Sequence, residues 1–187
     1  MIRHVDARDL DLVISYLREM PHPPNETRDS IEAQLLRDGV TMIEDAPPRR
    51  GARPPVFRLV PDFLPQHVTV PWMLPRAREG EDNLADFPAL MLATFQELVR
   101  RFPQTLTWPC SGVLEGKETK RGAETDKTFR LRWDAESREI LDFIKPRILP
   151  SLTVERNPDG AGFRGRMLVS QFLADLQGVV GVREMFG

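Results

Sequence analysis

The sequence contains few residues whose types and spacing would support catalysis. Its one cysteine, Cys110, ends an apolar and β-branched run, where a thiol is more often buried and unreactive than nucleophilic. The three histidines, His4, His22 and His67, are too scattered to show the spacing of metal ligands. We therefore predict no metal site and an inert Cys110.

Acidic pairs and the tyrosine give no stronger indication of an active site. The pairs Glu44/Asp45 and Glu81/Asp82 fall in polar stretches, and such pairs are usually solvated loop charge. The only tyrosine, Tyr16, lies in a predicted helix, where we expect it to pack at the edge of the core. On these residues alone, we predict no catalytic group.

Composition and charge narrow the class of protein. With 187 residues, 41% hydrophobic and 29% charged, the chain suits one domain, or one domain with an appendage. The net charge of −2 gives no indication of affinity for nucleic acid or acidic membranes. A single cysteine fits a reducing compartment, and the sequence has neither a long apolar run nor a signal-peptide core. We expect a protein that is not secreted and has no membrane span.

The stretch from 67 to 110 organises the predicted fold. Residues 67–74 have the composition of a strand, and residues 105–110 form a second such segment. Between them, residues 86–102 predict a long helix with Asp86 as its N-cap. Its apolar residues recur at three- and four-residue steps: Phe87, Met91, Phe95, Leu98 and Phe102. A helix with so wide an apolar face must pack on a sheet.

The part of the chain before this stretch predicts two helices and three strands. Asp6 or Asp9 caps a first helix that runs to about Met20. A second helix opens at Asn25 and ends before Gly39, which has the place of a C′ glycine. Three strands are predicted here: residues 2–5, 40–44 and 56–60. The last two would form a hairpin.

The part of the chain after Cys110 predicts an insertion and closing elements. Residues 111–127 are polar and contain glycine, which predicts a surface loop or a protruding hairpin. Three strands are predicted: residues 128–133, 152–156 and 163–169. A short helix capped by Asp134 lies between the first two. The predicted domain spans residues 1–169, and residues 170–187 form a helical segment and tail.

The first ten residues resemble the start of the GNAT superfamily of N-acetyltransferases, in which a first strand runs into a capped helix. The predicted order β-α-α-β-β-β-α-β is also similar to that family's layout over about residues 1–169. The resemblance implies an α/β (α+β) fold, with a mixed, mainly antiparallel sheet and helices on both faces. In this chain a C-terminal helix would be added.

The resemblance also identifies the loop that would bind a cofactor. Active GNAT enzymes hold the pyrophosphate of coenzyme A at a Gln/Arg-x-x-Gly-x-Gly/Ala turn, where glycines let backbone N–H groups approach the phosphates. The matching residues 76–83 contain one glycine, Gly80, which follows Arg76 by four positions instead of three. Three carboxylates there would repel the anion: Glu79, Glu81 and Asp82. Pro88 removes a donor from the first helical turn, so we expect no cofactor.

The resemblance leaves an alternative in which this loop has been rebuilt. Acetyl-CoA would then be bound by four residues: Met73, Leu74, Arg76 and Gly80. Many GNAT enzymes also use a tyrosine after the fifth strand as a general acid, and Tyr16 lies elsewhere in the chain. The missing parts favour a protein that is not an enzyme.

GNAT-like proteins without the coenzyme loop occur among the virion proteins of short-tailed bacteriophages, and this sequence is similar to them in layout, including residues 98–108. We expect a non-catalytic structural or assembly protein, located in a virion or in the cytoplasm. The alternatives are a divergent acyl-CoA-dependent N-acetyltransferase and a small metabolite-binding module.

Three segments that the bare fold does not need predict contacts with other proteins or with a second copy. The first is the loop 46–55, which carries arginines between prolines, and the second is the insertion 111–127. The third is the apolar stripe of the terminal helix, formed by Phe172, Leu173 and Leu176.

Overall fold

A computed structural model describes residues 1–18, 25–45, 54–71, 73–74, 87–112, 116–121, 124–129, 145, 149–156 and 163–186. Ten strands lie within these residues: β1 (Ile2–His4), β2 (Val40–Glu44), β3 (Val56–Asp62), β4 (His67–Val70), β5 (Met73–Leu74), β6 (Pro109–Gly112), β7 (Gly116–Arg121), β8 (Glu124–Phe129), β9 (Thr153–Arg156) and β10 (Phe163–Leu168). Four α-helices accompany them: α1 (Leu10–Arg18), α2 (Arg28–Arg37), α3 (Phe87–Arg101) and α4 (Val169–Phe186).

Eight of the strands form one sheet in the order β1-β2-β3-β4-β6-β10-β9, and β5 also pairs with β3. Because Phe57 pairs with Met42 of β2 and with Met73 of β5, β5 lies on the same side of β3 as β4. The pairs within this sheet are antiparallel except for β4 with β6, which run parallel. The predicted fold class, α+β with a mainly antiparallel sheet, is confirmed.

Helices cover both faces of the sheet, as predicted. Successive strand residues point to opposite faces. Ile43 and Val56 accordingly belong to a buried cluster with α1 and α2. Met42 and Phe57 belong to a second cluster with α3 and α4. The sheet is therefore the middle layer between two hydrophobic cores.

The central helix predicted over residues 86–102 is confirmed as α3. Met91, Phe95 and Leu98 of its apolar stripe are buried against the sheet. The helix ends where Pro103 cannot continue it. The proposed N-cap, Asp86, lies outside the residues that the structure describes.

The first helix begins with a capping box that uses both predicted caps. The Asp6 carboxylate accepts a hydrogen bond from the Arg8 N–H (2.8 Å), and the Asp9 carboxylate accepts one from the Asp6 N–H (2.9 Å). These bonds close a 3-10 turn over Ala7–Asp9, which leads directly into α1. The predicted end at Met20 lies beyond the described part of this region.

The second helix starts later than predicted, and its C-terminal glycine is confirmed. Thr27, not Asn25, is the N-cap, because its hydroxyl accepts a hydrogen bond from the Ser30 N–H (3.2 Å). Gly39 has φ +81°, the left-handed conformation expected of a C′ residue. A Cβ at this position would also clash with the carbonyl oxygen of Leu59, so both the backbone conformation and the available space require glycine.

The strand predicted over residues 105–110 is wrong in its first half. Pro103–Thr107 forms a 3-10 turn, and the strand β6 runs from Pro109 to Gly112. Thr105 donates its backbone N–H and its hydroxyl to the carbonyl oxygen of Phe102 (2.9 and 2.7 Å). These two bonds turn the chain before it can extend.

The region after β6 contains a hairpin. A protruding hairpin was one of the two structures predicted for the insertion 111–127. β7 and β8 pair with each other from Gly116↔Phe129 to Arg121↔Glu124 and form a separate two-stranded sheet. The strand predicted over residues 128–133 is therefore placed too late, since Thr128 and Phe129 end β8. Residues 130–133 and the helix predicted from Asp134 lie outside the described residues.

The closing elements follow the prediction, except for the use of the terminal stripe. β9 and β10 form the predicted hairpin, and α4 the predicted terminal helix. Phe172 and Leu176 are buried in the same core as α3, so these two side chains cannot supply a contact with another molecule. Among the helices that the structure describes, none has the length and apolar character to cross a membrane.

Candidate functional site

The parallel strands β4 and β6 pair as far as their carboxyl ends, and the chain after β4 then pairs with β3 alone among the described strands. Val68 pairs with Cys110 and Val70 with Gly112, but Met73 and Leu74 pair with β3 instead. The other edge of β5 has no partner strand among the described residues. In open α/β sheets, ligands bind in crevices outside the carboxyl ends of the strands. We call the carboxyl ends of β4, β5 and β6 the fork. The fork is the candidate cofactor site of the fold.

A β-bulge breaks the strand predicted over residues 67–74. Val60 pairs with Thr69 and Phe57 with Met73, so β3 has two residues between these pairs while the facing chain has three. The extra residue falls beside Pro71, which has no N–H to offer the ladder. Such a bulge bends the strand, and it lies opposite the middle of β3.

Two of the four residues expected to bind acetyl-CoA in the alternative function lie at the fork. Met73 and Leu74 form β5, whereas Arg76 and Gly80 lie outside the described residues. Pro88 is buried as the second residue of α3. The first turn of this helix therefore has one backbone donor fewer for a phosphate.

Cys110 lies in β6, beside Val68 of β4, with 1% of its surface exposed. The predicted burial of this thiol is confirmed. Burial raises its pKa far above the ordinary value, because a thiolate would lose its hydration there. Burial therefore favours the neutral thiol over the thiolate.

The histidines occupy separate places. His4 Nε2 lies 3.0 Å from Glu97 Oε1, and Arg100 donates two hydrogen bonds to the same carboxylate (2.6 and 2.7 Å). The Arg100 guanidinium, followed by His4, lowers the pKa of Glu97 to about 2. His67 lies in β4, and His22 is outside the described residues. Within the described residues, no group of three His, Cys, Asp or Glu side chains is arranged so that it could hold a metal ion.

Arg3 links β1 to the start of the first helix and to the end of β2. Its guanidinium donates to both oxygens of Asp9 (2.7 and 2.8 Å) and to both oxygens of Asp45 (2.5 and 3.1 Å). Asp45, predicted to be idle loop charge, is thus an ion-pair partner. The Arg3 guanidinium also lowers the pKa of Asp9. This network joins β1, the first helical turn and the end of β2.

A buried arginine was missed by the sequence reasoning. Arg58, in the middle of β3, is 2% exposed, and its Nη1 donates to the hydroxyl of Thr41 (2.8 Å). Burial lowers its pKa to about 10, and the carboxylates of Asp38 and Glu26 offset part of this effect. The available signal was an arginine within an apolar strand.

An exposed apolar cluster lies at the end of the sheet where β3 turns into β4. Phe63 is 47% exposed and Leu64 is 90% exposed. The Phe63 ring makes edge contacts with Phe102 and Trp108, with centroids 5.9 and 5.3 Å apart. Two further exposed leucines belong to neighbouring segments: Leu106 lies two residues before Trp108, and Leu168 of β10 pairs with Pro109. We call these four exposed side chains the apolar end; they are Phe63, Leu64, Leu106 and Leu168.

The turn that carries Phe63 and Leu64 is strained. Gln66 has φ +67°, a left-handed conformation that is unfavourable for a residue with a Cβ. The Asp62 carboxylate accepts a hydrogen bond from the Leu64 N–H (3.0 Å) and fixes the first half of the turn. Strain of this kind persists where the surrounding structure holds it, and it concentrates at functional sites.

Comparison with known proteins found no matching family model, no matching curated protein and no matching solved structure.

Proposed function

We propose that this protein is a non-catalytic structural or assembly protein with a GNAT-like architecture, and that it serves as a component of a bacteriophage virion. It would be located in the particle and, before assembly, in the cytoplasm. The observation that carries the proposal is the apolar end, which is presented by a strained turn. Its contacts are proposed to be with other copies of this chain.

The apolar end has the chemistry of a protein-binding surface. A single exposed leucine is common on proteins, but Leu64 stands beside Phe63, whose ring is supported by Trp108. Aromatic side chains on a supported base are typical anchors of interfaces, because they bury a large area at little cost in conformational entropy. Backbone strain concentrates at functional sites, so the left-handed Gln66 supports a role for this turn in presenting Phe63 and Leu64.

The β7–β8 ribbon supports the same proposal. It forms a two-stranded sheet of its own, and its cross-strand pairs include Glu118 with Lys127 and Arg121 with Glu124. A two-stranded hairpin is marginal in water by itself, and contact with a partner surface would stabilise it.

Light scattering over a concentration series tests this proposal. We expect the wild-type chain to self-associate, and Leu64→Asp to abolish association while circular dichroism shows an unchanged fold. Leu36→Asp is the matched control, because Leu36 is also an exposed leucine (41%) but lies on α2. A wild-type protein that stays monomeric, or a Leu36→Asp variant that loses association equally, would contradict the proposal.

A divergent acyl-CoA-dependent N-acetyltransferase is the second candidate, and the fork favours it. The parallel strands β4 and β6 are joined through α3, and one edge of β5 has no partner strand among the described residues, so a pantetheine chain could add to the sheet there. A thermal-shift titration with acetyl-CoA separates the candidates, since a ligand of the folded state raises the melting temperature. We expect no shift, and a saturable shift would favour the enzyme.

A further inference from the structure

The domain encloses a charged side chain that the proposed function does not use. Arg58 points from β3 toward the layer of α1 and α2, the same face as Ile43 and Val56. Its side chain is 2% exposed, and the neighbouring Thr41 is equally buried. A buried guanidinium is costly unless a counter-charge or a full set of hydrogen bonds accompanies it.

Among the described side chains, Arg58 has one hydrogen-bond acceptor. A guanidinium carries five N–H donors, and the one described side-chain acceptor is the neutral hydroxyl of Thr41. Asp38 and Glu26 attract the positive charge from a distance, but neither forms an ion pair with it in the described part of the chain. With respect to the described residues, the planar guanidinium of Arg58 therefore retains N–H donors that an oxyanion could accept bidentately.

Two features of the fold adjoin Arg58. The β-bulge beside Pro71 lies opposite Arg58, and bulges occur where a strand is re-aimed next to a site. The helix that covers this face, α2, has two buried residues among its ten, Ile31 and Leu35. An element with so little buried apolar surface separates from the sheet at low free energy.

We propose that Arg58 and Thr41 form a binding site for a small oxyanion, a phosphate or carboxylate group, that enters beneath α2. The guanidinium would donate two parallel hydrogen bonds to the anion. The Thr41 hydroxyl would rotate and donate a third hydrogen bond, because its oxygen lies 2.8 Å from Arg58 Nη1 and thus close to an anion bound by the guanidinium. This site is independent of the apolar end and of the fork.

The proposal is tested by melting the protein in increasing sodium phosphate, against sodium chloride of equal ionic strength. We expect the wild-type melting temperature to rise and saturate, and hydrogen exchange of the α2 amides to slow in parallel. Arg58→Gln should weaken phosphate binding by about tenfold or more, which is the loss expected for a charged hydrogen bond. A parallel titration with sodium acetate distinguishes a carboxylate site from one that requires a phosphate.

Arg37→Gln is the matched control, because Arg37 is an exposed arginine on α2, and it should retain the wild-type response. An equal, non-saturating rise in wild type and Arg58→Gln would overturn the site. If Arg58→Gln does not fold, hydrogen exchange of the wild-type protein decides. Protection of α2 by phosphate, reduced in Arg58→Lys, supports the proposal, and unchanged exchange rejects it.

Discussion

The rings of Phe95 and Phe172 are stacked, with centroids 4.8 Å apart and an interplanar angle of 15°. Phe95 lies on α3 and Phe172 on α4, and both are fully buried. This contact joins the last helix of the chain to the central helix. The C-terminal helix is therefore part of the support for α3.

Replacing Phe172 by Ala should lower the free energy of unfolding by about 3–5 kcal/mol, because it removes a buried ring and leaves a cavity against Phe95. Urea denaturation measures this loss. Gln177→Ala, an exposed position on the same helix, serves as the control and should change stability little. Removing residues 170–187 should leave a chain that does not fold, and a folded truncated domain would show that α4 is dispensable.

Replacing Gln66 by Gly should raise the free energy of unfolding by up to about 1 kcal/mol, because glycine adopts φ +67° without steric cost. The gain is limited, since glycine also increases the entropy of the unfolded chain. Gln104→Gly, in the exposed 3-10 turn after α3, is the matched control and should destabilise. If both substitutions destabilise equally, the turn at Gln66 is not strained.

The carboxylate of Glu97 should make stability depend on acid pH. Its pKa falls from 4.5 to about 2 in the folded state, chiefly through the hydrogen bonds from Arg100. A group with a depressed pKa contributes stability above its unfolded value, and this contribution is lost as the pH falls through the folded value. The window is therefore pH 4.5 to about 2.

Urea denaturation on either side of that window checks the prediction. Glu97→Gln should lower stability at neutral pH and converge with the wild type in acid. Arg100→Gln should remove the larger part of the same pH dependence, because Arg100 is the main cause of the shift. Parallel stability profiles of wild type and Glu97→Gln would show that this ion pair is not formed.

The thiol of Cys110 should not react with a thiol-specific reagent while the protein is folded. It is buried in β6, and its pKa is raised because burial disfavours the thiolate. Unfolding in denaturant should expose it to stoichiometric reaction, which serves as the internal control. Reaction of the native protein at the rate of the unfolded chain would indicate an accessible Cys110.

Residues with strong local preferences were predicted correctly. The apolar stripe of α3 and the capping pair Asp6 and Asp9 were visible in the sequence because each depends on neighbours within one or two turns. Gly39 was also predictable, since a helix end requires a left-handed residue. The 3-10 turn before β6 was not predictable, because Thr105 and Thr107 are β-branched residues that favour strands. The turn depends on the carbonyl oxygen of Phe102, which accepts a hydrogen bond from the Thr105 hydroxyl.

The amino-acid sequence by itself determined the helices α1 and α3 and the strands β1 to β4, because periodicity and caps are local properties of the chain. Only the tertiary structure decided where β4 gives way to β5 along β3, since a bulge is defined by the register of two facing strands. It also decided that Phe172 is buried and that Arg58 lies inside the domain. Burial depends on which elements meet, and a side chain's own type does not specify that.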